Sequence, residues 1–263
     1  MLEILAINLK GILRDRVFYG ILSIAILLLL IPQLCSLSMR IVTELSITLS
    51  LSLISFILLL LAVFVGGTSL WKDMERRYSF SVLGLPVSRH SYLLGKFAAS
   101  VVLILATLLF LGLVAYLVVW WASQIYPPQR PIVWINLLAA LCFIGLKYVM
   151  LVAVAYLFAT VSTSFFLPIF GTIVIFFTGS ASQEAYDYVH TENAASLPPL
   201  IKHAASSLYY ILPNFSSFDL NVNAIYGVPL SPRGVLLTVI YSLVYTGLLL
   251  WGAVMIFSRR EMK

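Results

Sequence analysis

Apolar and polar positions do not alternate along this chain; they come in blocks. Six apolar runs, at roughly 17–31, 45–70, 97–121, 132–158, 165–179 and 234–257, are separated by charged, proline-containing or short polar segments. A helix needs about 20 residues to cross hydrocarbon, and a short run can recruit flanking ones. Hydrocarbon offers no partner to a backbone N–H or C=O, so each run must close its hydrogen bonds within a helix. The expected fold is an all-α integral membrane protein, with six transmembrane helices in one domain over 1–263.

The segments between the runs predict further elements. Residues 1–16 place Leu2, Leu5, Leu9, Ile12 and Leu13 on one helical face and Glu3, Lys10 and Arg14 on the other. That pattern predicts an amphipathic helix lying in the membrane interface; the plainer alternative is an extension of the first span. The second run carries Ser46, Thr48, Ser50, Ser52 and Ser55. Small hydroxyl residues allow close helix packing, and Ser50 is also a candidate for a polar path. Gly66 and Gly67 are expected to allow a bend. Tyr116, Trp120 and Trp121 gather at the end of the third run as an aromatic belt.

Residues 180–233 form the longest stretch outside the runs. Its first part, 180–203, is polar and acidic and is expected to be a loop or short helix. The part 204–218 is aromatic, semi-apolar, broken by Pro213 and too short to cross. It predicts a re-entrant or interfacial hairpin before span six. Tyr209, Tyr210, Pro213 and Asn214 read either as an interfacial anchor or as a gate at the exit of a path.

Charge then orients the runs. Of sixteen Lys and Arg residues, eleven fall on one side of a six-span topology: three before the first run, five within 71–96 and three after the last. Four fall opposite (Arg40, Arg130, Lys202 and Arg233), and Lys147 lies inside the fourth run. Positive residues stay cytoplasmic, so both termini and the segment 71–96 are expected there. The net charge of +6 is thus a topology signal, with no nucleic-acid partner implied. Mean hydropathy is +1.05 and only 10% of residues are charged, against about 25% in soluble domains. Cys35 and Cys142 have neither metal-ligand spacing nor the look of a disulfide. The first run follows basic residues with no small-residue cleavage site and reads as a retained signal-anchor.

Candidate chemistry is sparse. His90, His190 and His203 all lie outside the runs, and the chain has no phosphate-binding Gly-rich loop with Lys-Ser/Thr. No catalytic residue, metal or bound cofactor is expected. Lys147 is the one ionisable residue deep in a run, too far from either end to snorkel easily. With no acid in any run, it is expected to face a cavity, an interface or an anionic group, unless carbonyls and hydroxyls satisfy it. The segment 71–96 joins a polar helical turn (73–77) to a semi-apolar patch (Tyr78, Phe80, Val82, Leu83, Leu85), before Pro86 breaks the helix. It is far longer than the turn ATVSTS on the same side, and it reads as a docking element for a cytoplasmic partner.

At these residues the chain resembles the type-2 exporter permeases of ABC transporters. The resemblance rests on Glu75, on the phrase VLGLPVSRHSYLLGK (Leu83, Leu85, Pro86, Val87, Ser88, Arg89, Gly95 and Lys96) and on the apolar run that follows. The whole plan is also similar, including LYYILPNFSSFDL before the last span. The resemblance implies a permease domain that pairs with itself or a homologue and binds separate cytoplasmic ABC ATPase subunits. ATP and Mg would sit on those subunits, and this chain would be no enzyme by itself. It implies that 73–83 is a coupling helix, with Asp73, Glu75, Arg76, Arg77, Tyr78, Phe80, Leu83, Pro86 and Arg89 as candidate contacts. It also implies residence in the cell inner (cytoplasmic) membrane, among lipid. Other functions considered are a secondary transporter or channel, a lipid-modifying membrane enzyme, and an assembly subunit of a larger membrane complex.

Overall fold

The computed structural model describes residues 42–75, 88–128, 130–191 and 198–259, with 19, 20, 23 and 30 as isolated positions. Every element of length among the described residues is helical, and none is a strand. Helix α1 (Val42–Leu61) passes through a π-helical turn (Ala62–Gly66) into α2 (Gly67–Glu75). Then come α3 (Arg89–Ile125), α4 (Trp134–Val161) and α5 (Phe166–Val189). The short helices α6 (Pro199–Ile211) and α7 (Asn221–Tyr226) flank a 3₁₀ turn (Ser216–Phe218), and α8 (Pro232–Arg259) completes the bundle. Among the described residues five helices are long and apolar enough to cross a membrane, so the chain is a multi-pass membrane protein. The amphipathic 1–16 segment and the first expected span, 17–31, lie outside the described residues save for positions 19, 20, 23 and 30.

Contacts between helix ends show two ends to the bundle. At the basal end, Trp71 lies against Phe165, with ring centroids 5.3 Å apart, and Tyr92 stacks on Phe257 at 6.4 Å. At the apical end, the Thr43 hydroxyl donates to the Tyr126 carbonyl at 2.6 Å, and Tyr116 meets Trp134 at 4.7 Å. Five of the six expected spans have counterparts among the described residues.

The observed helices outrun the apolar runs. Helix α3 starts at Arg89 rather than 97, capped by the Ser88 hydroxyl, which accepts from the Ser91 N–H at 3.2 Å. Its 37 residues span ~55 Å at ~1.5 Å each, well beyond the hydrocarbon. Helix α5 continues ten residues past 179, through the stretch expected to be a loop or short helix. Polar side chains there support the helix: the Gln183 amide donates to the Asp187 carboxylate at 3.0 Å, and the Ser182 hydroxyl to the Gly179 carbonyl at 2.8 Å. Polarity marks where a helix leaves hydrocarbon, and helical hydrogen bonding continues past that point.

Helix α4 is the centre of the bundle. The four other candidate spans pack on it, and 67% of its central window is buried, against 11% for α8. Two tyrosines fasten it sideways. The Tyr148 hydroxyl shares a 2.8 Å hydrogen bond with Ser55 of α1, and that of Tyr156 a 2.9 Å bond with Ser100 of α3. Each is worth about 0.6 kcal/mol inside a membrane. Gly66 lets the π-helical turn close on the same helix, since a Cβ there would stand 3.1 Å from the Ala155 Cβ. The expected bend is thus a π-turn, and Gly66 serves close packing.

Candidate functional site

Most of the residues singled out from sequence fall into two groups at different levels of the bundle. The first surrounds the break between α2 and α3. Arg76, Arg77, Tyr78, Phe80, Leu83 and Pro86 lie outside the described residues. Asp73 and Glu75 are in the last turn of α2. Arg89 is the first residue of α3, and its guanidinium donates to the Ser258 carbonyl, at 3.1 Å, in the last turn of α8. Cations at a helix C-terminus meet its unsatisfied carbonyls and the negative end of its dipole.

Lys96 completes this junction. Grouped with the charged segment in sequence, it is instead a buried residue of α3, 3% exposed. Its ammonium donates to the Ser69 carbonyl of α2 and lies 5.9 Å from the centre of the Tyr92 ring. A lysine at this depth needs an acceptor, and the carbonyl supplies it. Arg89 and Lys96 thus tie the first two turns of α3 to the end of α8 and to the first turn of α2.

The second group lies about halfway along α4. Lys147 is half-buried, with its ammonium 5.0 Å from the centre of the Phe176 ring and 5.9 Å from that of Tyr148. Aromatic faces attract an ammonium held at such distances. The segment after α6 folds in against this level. Pro213, Asn214, Phe215 and Phe218 are all buried; Phe215 meets Phe176 at 5.7 Å, and Phe218 meets Phe143 at 6.3 Å. Phe143 is one helical turn from Lys147, so the inserted segment brings Asp219 alongside. Asp219 itself is exposed, and one carboxylate oxygen accepts from the Asn221 N–H at 2.9 Å.

Asn214 holds the insertion in shape. Its side-chain oxygen accepts from the N–H groups of Ser216 and Ser217 at 3.1 and 3.3 Å, and its amide donates to Gln183 at 2.7 Å. Its own N–H donates to the Tyr241 hydroxyl at 2.9 Å. Gly179 makes room, since a Cβ there would stand 2.3 Å from the Pro213 carbonyl oxygen. At the apical end the Asn136 amide holds the carbonyls of Asn223 and Val228, both at 2.9 Å.

Tyr209 and Tyr210 stand apart from Lys147. They cluster with Tyr186 of α5, whose ring is 4.3 Å from Tyr209 and 6.2 Å from Tyr210. Ser50 is buried in α1, and its hydroxyl has no hydrogen-bond partner among the described residues. Of the residues read as a path, the structure groups Lys147 with the Pro213–Asn214 turn and leaves Ser50, Tyr209 and Tyr210 elsewhere.

Sequence reasoning passed over Lys96 as a buried tie, and Asp219, Phe176 and Gly179 altogether. Asp219 carried one signal, as the acid directly after the semi-apolar FSSF phrase. No protein-family model matches the chain, and no curated protein matches it.

Proposed function

We propose that the chain is the membrane-spanning permease subunit of an ATP-driven ABC exporter. Six spans, counting 17–31, and an interfacial N-terminal helix form each half of a dimer in the cytoplasmic membrane, with the basal end and both termini in the cytoplasm. The segment between Glu75 and Arg89 is the handle on which separate ATPase subunits push, and the segment inserted after α6 is re-entrant from the opposite side. One observation carries this reading. The charged segment joins α2 and α3, which are tied to each other through Lys96 to Ser69, while Arg89, the first residue of α3, is tied to Ser258 in the last turn of α8. A push on it is therefore delivered to α2, α3 and α8 at once, as coupling requires.

The test is co-purification of the chain with candidate ATPases, with ATP hydrolysis and transport measured for the wild type and for Glu75→Ala. Capture of an ATPase, with hydrolysis uncoupled from transport in the variant, is expected. Failure to capture any ATPase, or a variant that couples as well as the wild type, overturns the proposal. A second reading, an ion-driven secondary transporter, is favoured by one observation: Lys147 lies halfway along an apolar helix, on ring faces and not sealed by the fold. Transport sustained by an ion gradient without ATP would select it.

A further inference from the structure

Two opposite charges, Lys147 and Asp219, lie on the Phe143 side of α4. Asp219 is exposed and Lys147 half-buried, although Phe218, next to Asp219, has its ring against Phe143 in the tenth position of α4. A carboxylate left open at this level of α4 is costly against lipid tails and favours a hydrated surface. The side of α4 turned away from it differs sharply. Ile135, Leu138 and Cys142, spaced i, i+3, i+7, are all exposed, and they form an apolar stripe suited to lipid. Cys142 and Phe143 are neighbours in sequence, so the two faces are compared at the same depth.

We propose that the Lys147–Asp219 face is a water-accessible binding surface for a zwitterionic headgroup. The anionic end of the headgroup pairs with the Lys147 ammonium and its cationic end with the Asp219 carboxylate, while Phe176 gives the adjoining aliphatic part an apolar wall. Both charges carry hydrogen-bonding capacity that the fold leaves open. The Asp219 carboxylate accepts from the Asn221 N–H at 2.9 Å through one oxygen, and the Lys147 ammonium rests on ring faces. A singly charged ligand would meet attraction from one partner and repulsion from the other; a zwitterion satisfies both. This deepens the permease reading and rests on it for the idea that the ligand is cargo.

The experiment compares thiol labelling on the two faces, in dodecylmaltoside, with a charged, membrane-impermeant methanethiosulfonate. One protein is Cys35→Ser, which retains Cys142. The other is Cys35→Ser/Cys142→Ser/Ser217→Cys, a reporter on the exposed Ser217 beside Asp219. The Ser217 reporter is expected to label at least about tenfold faster than Cys142, since only a hydrated thiol ionises readily. Dihexanoylphosphatidylcholine, at about ten times its Kd, should slow that labelling about tenfold by occupancy. The protection should vanish in Lys147→Met and in Asp219→Asn. An anionic short-chain phosphatidylglycerol should protect poorly.

Equal labelling of the two thiols would overturn the open face. Labelling without protection, or protection indifferent to Lys147 and Asp219, would overturn the headgroup assignment. Asp219→Cys serves as the reporter of accessibility if Ser217→Cys does not fold. No ATPase takes part in the labelling, so its outcome and the failure of ATPase coupling are read separately.

Discussion

Two lysines sit in apolar helices of this bundle, and the structure treats them in opposite ways. At the basal junction Lys96 is sealed, 3% exposed, with its ammonium on the Ser69 carbonyl. Halfway along α4, Lys147 lies on two aromatic faces near an exposed carboxylate. The first arrangement closes the hydrogen-bonding capacity of the charge within the fold and joins two helices. The second leaves capacity open on a face that bends around an inserted segment. The difference teaches that depth in a helix does not distinguish a structural lysine from a binding one; what closes the ammonium does.

The largest effect is expected where the inserted segment touches α5. Gly179→Ala places a Cβ against the Pro213 carbonyl oxygen, a backbone atom that cannot swing aside. Overpacking typically costs about 1–3 kcal/mol and occasionally more; against a fixed backbone atom the cost belongs at or above the top of that range, and the segment carrying Asp219 should loosen. The unfolding midpoint in detergent is expected to fall, and phosphatidylcholine protection of Ser217→Cys to weaken. By contrast, a Cβ on Gly247 of α8 would meet nothing within 4 Å, so Gly247→Ala should leave the midpoint unchanged or raise it slightly. A Gly179→Ala protein as stable as the wild type would show that the insertion is not seated as described.

The two lysines themselves should separate next. Lys96→Met removes a charged donor from a buried carbonyl, which costs about 1.5–3 kcal/mol. The ammonium of the half-buried Lys147 rests on ring faces, contacts worth about 0.5–1 kcal/mol, so Lys147→Met should nearly hold its unfolding midpoint while losing ligand protection. If both substitutions destabilise alike, Lys147 is a structural residue and the contrast between the two regions collapses.

The smallest effect belongs to the tyrosine ties of α4. Tyr148→Phe and Tyr156→Phe each remove one interhelical hydrogen bond, with an expected loss of about 0.6 kcal/mol apiece. The two bonds join α4 to different helices, so their effects should add. Chemical denaturation of the single and double variants checks this. Strong non-additivity would mean that α1 and α3 move together as one body against α4.

Much of the fold was legible because hydrocarbon imposes so few solutions. Long apolar runs had to be helices, and five of the six are seen crossing the bundle. The ends were harder to read. Residues 89–96 and 180–189 are polar enough to resemble loops, yet local bonds such as Ser88 to Ser91 and Gln183 to Asp187 keep them helical. Lys147 stood out from its position alone. Asp219 did not, since its 72-residue separation from Lys147 is bridged only by the way the chain turns at Pro213 and Asn214.

The amino-acid order therefore settled the class of the molecule, its apolar helices and the oddity of one charge among them. Each of these follows from the local rule that backbone and charge must be satisfied in lipid. Which helix lies at the centre was left to the packing. Helices α4 and α8 have the same length and similar character, yet one is mostly buried and the other mostly open. The partners of Lys96 and Lys147 were left to packing as well, because a carbonyl and a carboxylate distant in sequence reach them only when the helices have chosen their neighbours.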